Sequence, residues 1–324
     1  MRSQHALGAQ QLEGRRPSLV AIGNFDGVHR GHRAVVAQAL ERARAEGLVP
    51  LVLTFDPHPA LVVGGRALPA LTTLERKLEL LCRQAPELRV VVEPFTLELA
   101  RTEARDFVAR LLVERFDAKV VLVGENFRFG RGRAGDFALL SELGKQLGFQ
   151  ACAAALEADA VAPISSTRVR AALELGELSE VERLLGRPHS LSGVVVPGQG
   201  RGRGIGVPTA NLDGIAEALP PHGVYAVLVD ERRRGPYQAL AAGVVSFGVR
   251  PTLGAGPSFE AHLFDVAADL YGAELRVHLV ARLRDERKFA GIDELRAQIE
   301  RDMQAARVAT ASRKPDPSAL PAWY

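Results

Sequence analysis

The stretch LVAIGNFDGVHRGH, residues 19–32, combines a short apolar run, a glycine-containing turn and the beginning of a helical pattern. The apolar part ends at Gly23, and the helical pattern continues to about residue 44. Four more apolar runs, separated by helix-compatible stretches, lie at residues 51–55, 90–92, 120–123 and 151–156. Continuous apolar strands that alternate with helices predict a parallel sheet covered on both faces. Because ligands of such sheets bind beyond the carboxyl ends of the strands, residues 23–32 are expected at a binding site.

The pattern changes near Arg187 and Pro188, where helix-like segments give way to short strands separated by glycine and proline. This pattern predicts a small antiparallel β-barrel followed by a helix over residues 292–307. The predicted strands span residues 224–229, 239–245, 259–264 and 275–281, and the helix presents Ile292, Leu295, Ile299 and Met303 on one face. The predicted organisation is an N-terminal extension (1–16), an α/β domain (17–186), a barrel domain (187–310) and a proline-containing, disordered tail (311–324).

Composition excludes several classes of protein. The 324 residues carry a net charge of only +3, and arginine is interspersed with acidic residues, which argues against a nucleic-acid binder. The run Arg232–Arg234 is typical of a hairpin tip.

No apolar stretch reaches the roughly 18 residues of a membrane span, and the N-terminus does not resemble a signal peptide. With Cys82 and Cys152 both in apolar contexts, we expect a cytoplasmic protein without disulfides. A homo-oligomer is compatible with the sequence.

His29 and His32 are three residues apart at the start of the first helical pattern. A helix N-terminus offers unpaired N–H groups and a partial positive charge, so it favours phosphate. Gly27 and Gly31 would let a bulky anion approach the backbone. No lysine lies near this segment in the sequence, so histidine is expected to supply the side-chain donors. Considered alone, such a histidine pair is more typical of a polar surface, or occasionally of a metal site.

A second candidate phosphate site is ISSTR, residues 164–168, which follows the fifth apolar run. Ser165, Ser166 or Thr167 can cap the helix predicted there. Arg168 would then lie in the first turn and present a guanidinium group to an anion. Taken alone, the segment is equally compatible with an ordinary helix cap.

Together these two segments resemble the HxGH and SSTxR signatures of the nucleotidylyltransferase superfamily. TFDPHP (54–59) and GENFRFG (124–130) further resemble motifs of bacterial bifunctional FAD synthetases. The resemblance implies a Rossmann-like α/β domain that transfers AMP from ATP to FMN, with His29, His32 and Arg168 as catalytic residues. It assigns ATP binding to Gly23, Phe25, Asp26, Gly27, His29, His32, Ser165, Ser166, Thr167 and Arg168, and flavin binding to Phe55, Pro57, Asn126 and Phe127.

Alternatives remain for the flavin-binding residues. Phe55 and Phe127 are as compatible with core packing as with a flavin contact. A structural hydrogen bond within its own loop is nearly as compatible with Asn126. The chemistry itself needs no activated side chain, because the FMN phosphate is already a nucleophile at neutral pH. Catalysis would therefore depend on positioning and on neutralising charge at the α-phosphate and the pyrophosphate.

The second constellation is GQGRGRGIGVPTANL, residues 198–212, a glycine-rich loop that leads into a short strand. Such a loop can surround phosphates with N–H groups, although alone it is more often a flexible connection. Thr209 and Asn211 are two residues apart and would face the same side of a strand. A hydroxyl and an amide oxygen there are suitable ligands for Mg²⁺.

The motifs that follow, GVY (223–225), FGVRPT (247–252), LYG (270–272) and RLRDE (282–286), resemble the riboflavin kinase module in order. The resemblance implies an ATP site that includes Mg²⁺, bound by Thr209 and Asn211, and it identifies Glu260 as the catalytic base. It assigns ATP binding to Gly202, Gly204, Gly206, Pro208, Thr209 and Asn211, and flavin binding to Arg284 and Asp285. Ser246 departs from the family pattern, in which asparagine is expected.

These observations predict a two-domain transferase that uses ATP and Mg²⁺. The barrel domain would phosphorylate riboflavin to FMN, and the α/β domain would adenylylate FMN to FAD and release pyrophosphate. Its partners would thus be riboflavin, FMN, FAD and ATP, without nucleic acid or membrane. Two alternatives are an enzyme with only the kinase active and a flavin-binding regulator that has lost catalysis. The presence of His29, His32, Arg168 and Glu260 argues against such loss.

Overall fold

The computed structural model describes residues 6–8, 16–64, 68–155, 157–159, 162–198, 206–249 and 257–313. The chain forms two compact units. The first comprises Met1–Leu68 and Thr72–Ser166, and the second comprises Pro69–Leu71 and Thr167–Tyr324. Residues 314–324, most of the predicted disordered tail, lie outside the described residues.

The first unit contains a six-stranded parallel sheet with the strand order β1-β4-β3-β2-β5-β6. Five strands confirm the predicted parallel α/β architecture. The sixth, β1, was not predicted: it pairs with β4 and forms one edge of the sheet, although it lies in the segment expected to be an extension. The strands are β1 (Ala6–Gly8), β2 (Ser18–Ile22), β3 (Val49–Asp56), β4 (Arg89–Pro94), β5 (Ala118–Val123) and β6 (Gln150–Ala153).

Helices cover both faces of this sheet, as the continuous apolar strands predict. Along β2, Leu19 and Ala21 belong to one apolar cluster, whereas Val20 and Ile22 belong to the other. This alternation requires a buried environment on each face. The helices are α1 (Arg30–Glu46), α2 (Pro59–Gly64), α3 (Leu74–Cys82), α4 (Leu97–Arg101), α5 (Ala104–Asp106), which continues into a π-helix (Phe107–Arg115), a short 3₁₀ turn (Arg131–Arg133) and α6 (Phe137–Leu147).

The second unit contains a closed six-stranded antiparallel barrel with the order β10-β11-β8-β7-β12-β9. The barrel and the last helix confirm the predicted fold class. The first strand, β7, was not predicted. The elements are α7 (Ser166–Leu175, which starts at the last residue of the first unit), α8 (Leu178–Leu185), β7 (His189–Val196), β8 (Ala210–Asp213), β9 (Gly223–Arg232), β10 (Gln238–Val249), β11 (Pro257–Leu263), β12 (Glu274–Arg284) and α9 (Ile292–Thr310).

Buried polar residues accompany the barrel core. His189, at the start of β7, is 2% exposed, and its Nε2 lies 2.8 Å from the carbonyl oxygen of Ala218. Burial lowers the pKa of His189 to about 4, because the charged imidazolium would lose its hydration. The folded barrel therefore holds this side chain neutral at neutral pH.

The free energy of unfolding should fall as the pH decreases from about 6.5 towards 4, because the unfolded chain then binds a proton that folded His189 rejects. One such proton contributes a slope of up to about 1.4 kcal/mol per pH unit. Urea titrations across this range should show a smaller slope in His189→Gln than in the parent. His222→Gln, at an exposed histidine, should keep the parent slope. Equal slopes in all three proteins would contradict the assignment.

Candidate active sites

The loop that leaves β2 has an unusual backbone. Gly23 N–H donates a hydrogen bond to Leu53 O at 3.1 Å, and the next turn takes φ values of 49° at Phe25, 81° at Gly27 and 39° at Val28. Positive φ in residues other than glycine costs about 1–3 kcal/mol each. Such a conformation persists only where neighbouring groups hold it. The hydrogen bonds to this loop are therefore the contacts that fix its geometry.

Neighbouring segments hold this loop at Asp26 and Gly27. The Asp26 side chain accepts a hydrogen bond from Thr72 N–H at 3.3 Å, and Gly27 N–H donates to the Thr72 hydroxyl at 3.2 Å. The Ser166 hydroxyl donates to the carbonyl oxygen of Asp26 at 2.9 Å. Two predicted nucleotide-binding segments, residues 23–32 and 164–166, are therefore in direct contact within the first unit.

The structure brings the two predicted histidines together. His29 is the N-cap of α1, and its Nδ1 accepts a hydrogen bond from His32 N–H at 3.2 Å. The two rings are stacked, with centroids 3.6 Å apart and an interplanar angle of 17°. Phe25 is buried and its ring centroid lies 5.1 Å from that of His32. His29 is buried and His32 half-buried, so the pair is preorganised at a helix N-terminus.

Gly31 has a different role from the one expected. A Cβ atom at this position would lie 3.0 Å from Ile164 O and 3.2 Å from the His29 ring. The missing side chain thus makes room for protein atoms rather than for an anion. Gly31 lets α1 and the segment around Ile164 pack closely.

The four residues predicted to bind flavin in this unit differ in exposure. Phe55 is 8% exposed, belongs to the core and meets Phe95 edge to face at 5.7 Å. Phe127 is partly buried and stacks on Phe129 at 5.5 Å. Pro57, which follows a cis peptide bond, and Asn126 are exposed. The packing favours the core role for Phe55, and a flavin contact by any of the four stays a prediction.

One residue corrects the expectation that no lysine lies near the loop. Lys77 on α3 is 7% exposed, and its Nζ lies 3.3 Å from Asn24 O and 3.1 Å from Phe55 O. Burial lowers its pKa, while the charges of Asp26 and Asp56 oppose that shift. Helical spacing could have revealed it, because Lys77 precedes the buried residues Leu80 and Leu81 by three and four positions.

In the second unit, the predicted catalytic carboxylate lies between polar side chains of adjacent strands. Glu260 on β11 pairs in register with Asn211 on β8 and with Ser246 on β10. One carboxylate oxygen accepts from the Thr209 hydroxyl at 3.4 Å, and the other accepts from the Ser258 hydroxyl at 3.0 Å. The residue is half-buried. Thr209, Asn211 and Glu260 therefore form one cluster.

A cavity of about 500 Å³ opens beside this cluster, a volume typical of a small-molecule site. One wall is the apolar face of α9 predicted from the sequence. The sequence analysis predicted this face but gave it no part in a site. The lining residues are Val207, Thr209, Val224, Val244, Ser246, Glu260, His262, Arg284, Glu286, Arg287, Phe289, Ile292, Leu295, Ile299, Asp302 and Met303.

A smaller cavity of about 340 Å³ adjoins the same threonine. Thr209 lines both cavities, and Pro208 and Tyr271 line only the smaller one. His262 lines the larger cavity. Its Nδ1 lies 2.8 Å from the Pro208 carbonyl oxygen. Two cavities therefore meet at Thr209, an arrangement suited to group transfer between two bound molecules.

Glycines make room for polar groups around this site. A Cβ at Gly198 would lie 2.0 Å from the Asn211 amide nitrogen, and one at Gly248 would lie 2.1 Å from a Glu286 carboxylate oxygen. Gly206 is exposed and has a φ of 81°. Of the other predicted ATP-binding glycines, Gly202 and Gly204 lie outside the described residues, as does the motif segment 250–252.

The arginines predicted to bind ligands have carboxylate partners. Arg284 lines the larger cavity and contacts Asp302 at 2.9 Å, which fixes its guanidinium group against α9. The side chain of Asp285 is 80% exposed and pairs with Arg282 at 2.8 Å, and Asp285 is not among the residues that line the larger cavity. Arg168, in the first turn of α7, is 3.4 Å from Glu180. Thr167 beside it is exposed.

Comparison with known proteins identifies both halves. Residues 12–168 match the family model described as FAD synthetase, and residues 185–310 match riboflavin kinase. A bifunctional riboflavin kinase/FMN adenylyltransferase of Escherichia coli (strain K12) is 40% identical over 97% of this chain and 99% of its own. The chain belongs to this bifunctional family. It phosphorylates riboflavin to FMN with its barrel half and adenylylates FMN to FAD with its α/β half, using ATP in both steps.

Further comparisons cover most of the chain. The Bacillus subtilis (strain 168) bifunctional enzyme is 35% identical over 89% of this chain and 91% of its own. A crystal structure of a Streptococcus pneumoniae protein described as a macrolide-efflux protein has a TM-score of 0.81 at 28% identity, covering 94% of this chain and 99% of that one. In the described part of the chain, no helix has both the length and the apolar character needed to cross a membrane.

Proposed function

We propose that FMN adenylylation takes place at the loop after β2, where His29, His32 and Arg168 bind the ATP phosphates. The stacked histidine pair at the N-terminus of α1 carries this proposal. It combines two imidazoles with the N–H groups of a helix start, which is the environment that phosphate oxygens favour. Ser165, Ser166 and Thr167 add hydroxyl groups at the start of α7, and Arg168 adds a fixed positive charge.

This half acts by orientation and charge neutralisation. The FMN phosphate oxygen attacks the α-phosphorus of ATP, the bond to the bridging oxygen breaks, and pyrophosphate leaves with the bonding electrons. Donors that are fixed before the reaction stabilise the charge that develops on the leaving group without reorganising. The strained loop, held at Asp26 and Gly27, is what keeps those donors in place.

In the barrel, riboflavin occupies the 500 Å³ cavity and ATP the 340 Å³ cavity, with Thr209 at their junction. Glu260 is the base that accepts the proton of the terminal ribityl hydroxyl as the γ-phosphate is transferred. An alcohol needs such a base, whereas the phosphate nucleophile of the other half does not. Arg284, fixed by Asp302, contacts the flavin.

The residues at the junction fit a magnesium ion. Thr209, Asn211 and Glu260 offer a hydroxyl, an amide and a carboxylate oxygen, the donor types that Mg²⁺ prefers. Asn211 is only 8% exposed and packs on Gly198, so its amide is held in place. Thr209 and Asn211 would hold the ion, which would neutralise charge on the ATP phosphates.

We propose domain limits of 17–186 and 187–310 for the two activities, and a cytoplasmic location. The compact units divide between Ser166 and Thr167, which groups α7 and α8 with the barrel. Helix α8 packs against β7 and β12 and buries Val181, Leu184 and Leu185. An active kinase fragment is therefore expected to gain stability from these helices.

His32→Ala should lower the rate of FAD formation from FMN by roughly 10²–10³-fold, the usual effect of removing one preorganised charge-stabilising donor. The rate of FMN formation from riboflavin should stay at the parent level, because it uses the other half. Both rates are measured by separating flavins after incubation with ATP and Mg²⁺. Parent-level FAD formation would place the phosphate site elsewhere, and absence of both products from the parent itself would favour a flavin-binding regulator.

Glu260→Gln should slow FMN formation by roughly 10²–10⁴-fold, because a positioned base contributes about that factor. The loss could be smaller, because the loose transition state keeps the hydroxyl proton in place until late. Riboflavin binding should change little, since glutamine keeps the shape, and adenylylation of added FMN should be unaffected.

Glu286→Gln compares Glu260 with Glu286, another of the three carboxylates that line the cavity; the third, Asp302, is paired with Arg284. A larger loss of kinase rate in Glu286→Gln than in Glu260→Gln would assign the base to Glu286. An equal fall in both activities of the Glu260 variant would indicate a general structural defect and would also contradict the assignment.

A fragment of residues 186–324 should fold and phosphorylate riboflavin, and a fragment of residues 167–324 should do so with a higher unfolding midpoint. The reason for the difference is the apolar face of α8, which only the longer fragment buries. Circular dichroism melts and FMN formation test both fragments. Insolubility of both, with the full chain well behaved, would mean that the two halves share a core.

A further inference from the structure

Lys77 is a buried cation with a complete set of hydrogen-bond acceptors. Its ammonium nitrogen lies 3.3 Å from Asn24 O, 3.2 Å from the Thr54 hydroxyl and 3.1 Å from Phe55 O. Three acceptors match the three hydrogens of an ammonium group. The side chain therefore links the loop after β2 to the end of β3 from its position on α3.

Of the three contacts of Lys77, the one to the carbonyl oxygen of Asn24 is the most informative. Asn24 O also accepts a hydrogen bond from the Thr54 hydroxyl at 3.0 Å, so two donors meet at one carbonyl oxygen. Asn24 immediately precedes Phe25, the first residue of the turn with positive φ. Its carbonyl orientation sets the direction in which the strained backbone enters that turn.

The same stretch of chain holds the far side of the turn. Thr72, five residues before Lys77, contacts Asp26 and Gly27. Residues 72–77 therefore fix the loop at three closely spaced positions, Asn24, Asp26 and Gly27. Within the described residues, the ammonium group of Lys77 is surrounded by these oxygen acceptors and is removed from solvent.

We propose that Lys77 is a positioning residue for FMN adenylylation. It holds Asn24 so that the strained turn delivers His29 and His32 in their stacked arrangement, and it does not touch either substrate. This inference rests on the proposed phosphate site at the two histidines. It adds to that site a cation that influences the reaction by fixing the backbone and not by contacting a substrate.

The hydrogen bonds of Lys77 show what the ammonium group contributes at this position. Burial lowers its pKa from the ordinary value, and the charges of Asp26 and Asp56 oppose part of that lowering. A neutral side chain of the same length would leave Asn24 O with one donor, the Thr54 hydroxyl. Phe55 O would lose its hydrogen bond from Lys77. Unpaired buried carbonyl groups are unfavourable, so the turn is expected to shift towards water or towards another donor.

Lys77→Met tests the proposal in the full-length enzyme. Loss of the ammonium should lower kcat for FMN adenylylation by about 10–100-fold, since misplacement of about 1 Å costs up to 10²-fold. The KM for FMN should change less than threefold, because Lys77 does not contact the flavin. The kinase rate of the same protein should equal that of the parent. A merely structural role would lower the unfolding temperature without this selective change in kcat.

Arg42→Met is the matched control. Arg42 is another partly buried cation of the first unit, and it bonds to Glu46 at 2.7 Å and to Cys152 at 2.6 Å. These partners lie on α1 and β6, and neither belongs to the turn or to residues 72–77. This variant should lower the unfolding temperature of the first unit and leave kcat per folded molecule unchanged.

Thr54→Val removes the second donor to Asn24 O and keeps the side-chain shape, whereas Thr54→Ser keeps the hydroxyl. Thr54→Val should lower kcat for adenylylation, Thr54→Ser should restore it, and the effects of Thr54→Val and Lys77→Met should not add, because both act through one carbonyl group. If Lys77→Met fails to fold, the Thr54 pair tests whether fixing the same carbonyl oxygen serves adenylylation.

A parent-level kcat in folded Lys77→Met, or in Thr54→Val, would overturn the proposal. A fall in the kinase rate equal to that in adenylylation would also overturn it. The phosphate site fails separately: parent-level activity of His32→Ala removes the histidines from the reaction. A reduced kcat in Lys77→Met would then show that the turn serves catalysis through groups other than the histidines.

Discussion

Both sites depend on polar side chains that are wholly or partly removed from water and are stabilised there by hydrogen-bond partners within the protein. Burying an unpaired polar or charged group is costly, so the two groups central to these sites are each accompanied by specific acceptors or donors. Lys77 has three oxygen acceptors, and Glu260 has the Thr209 and Ser258 hydroxyls. The partners restrict the geometry, and this restriction is what prepares each site for its substrate.

The two halves solve different chemical problems with different residue types. The first half works on a phosphate nucleophile and presents imidazoles, N–H groups and an arginine, all of which stabilise negative charge. The second works on an alcohol and presents a carboxylate beside oxygen ligands suited to a divalent cation. In the mechanism that we propose, proton removal therefore belongs to the barrel, and charge stabilisation dominates at the parallel sheet.

The glycine positions illustrate how one residue type serves different purposes. Gly27 supplies a positive φ to the strained turn, whereas Gly31 allows close packing against Ile164. Gly198 and Gly248 make room for the side chains of Asn211 and Glu286. Sequence reasoning treated the first two alike, as openings for an anion, because spacing alone does not show what occupies the missing Cβ position.

Local pattern determined much of this protein. Apolar runs, turn residues and helical spacing predicted the parallel sheet, the barrel, the final helix and the position of His29 and His32, because each depends on residues close together in the chain. Only the tertiary structure decided the rest: the strand register that places Asn211 and Ser246 beside Glu260, the use of the apolar face of α9 as a cavity wall, and the burial of Lys77 under Asn24. Those contacts join residues many positions apart, and no local periodicity records which distant partner a side chain will meet.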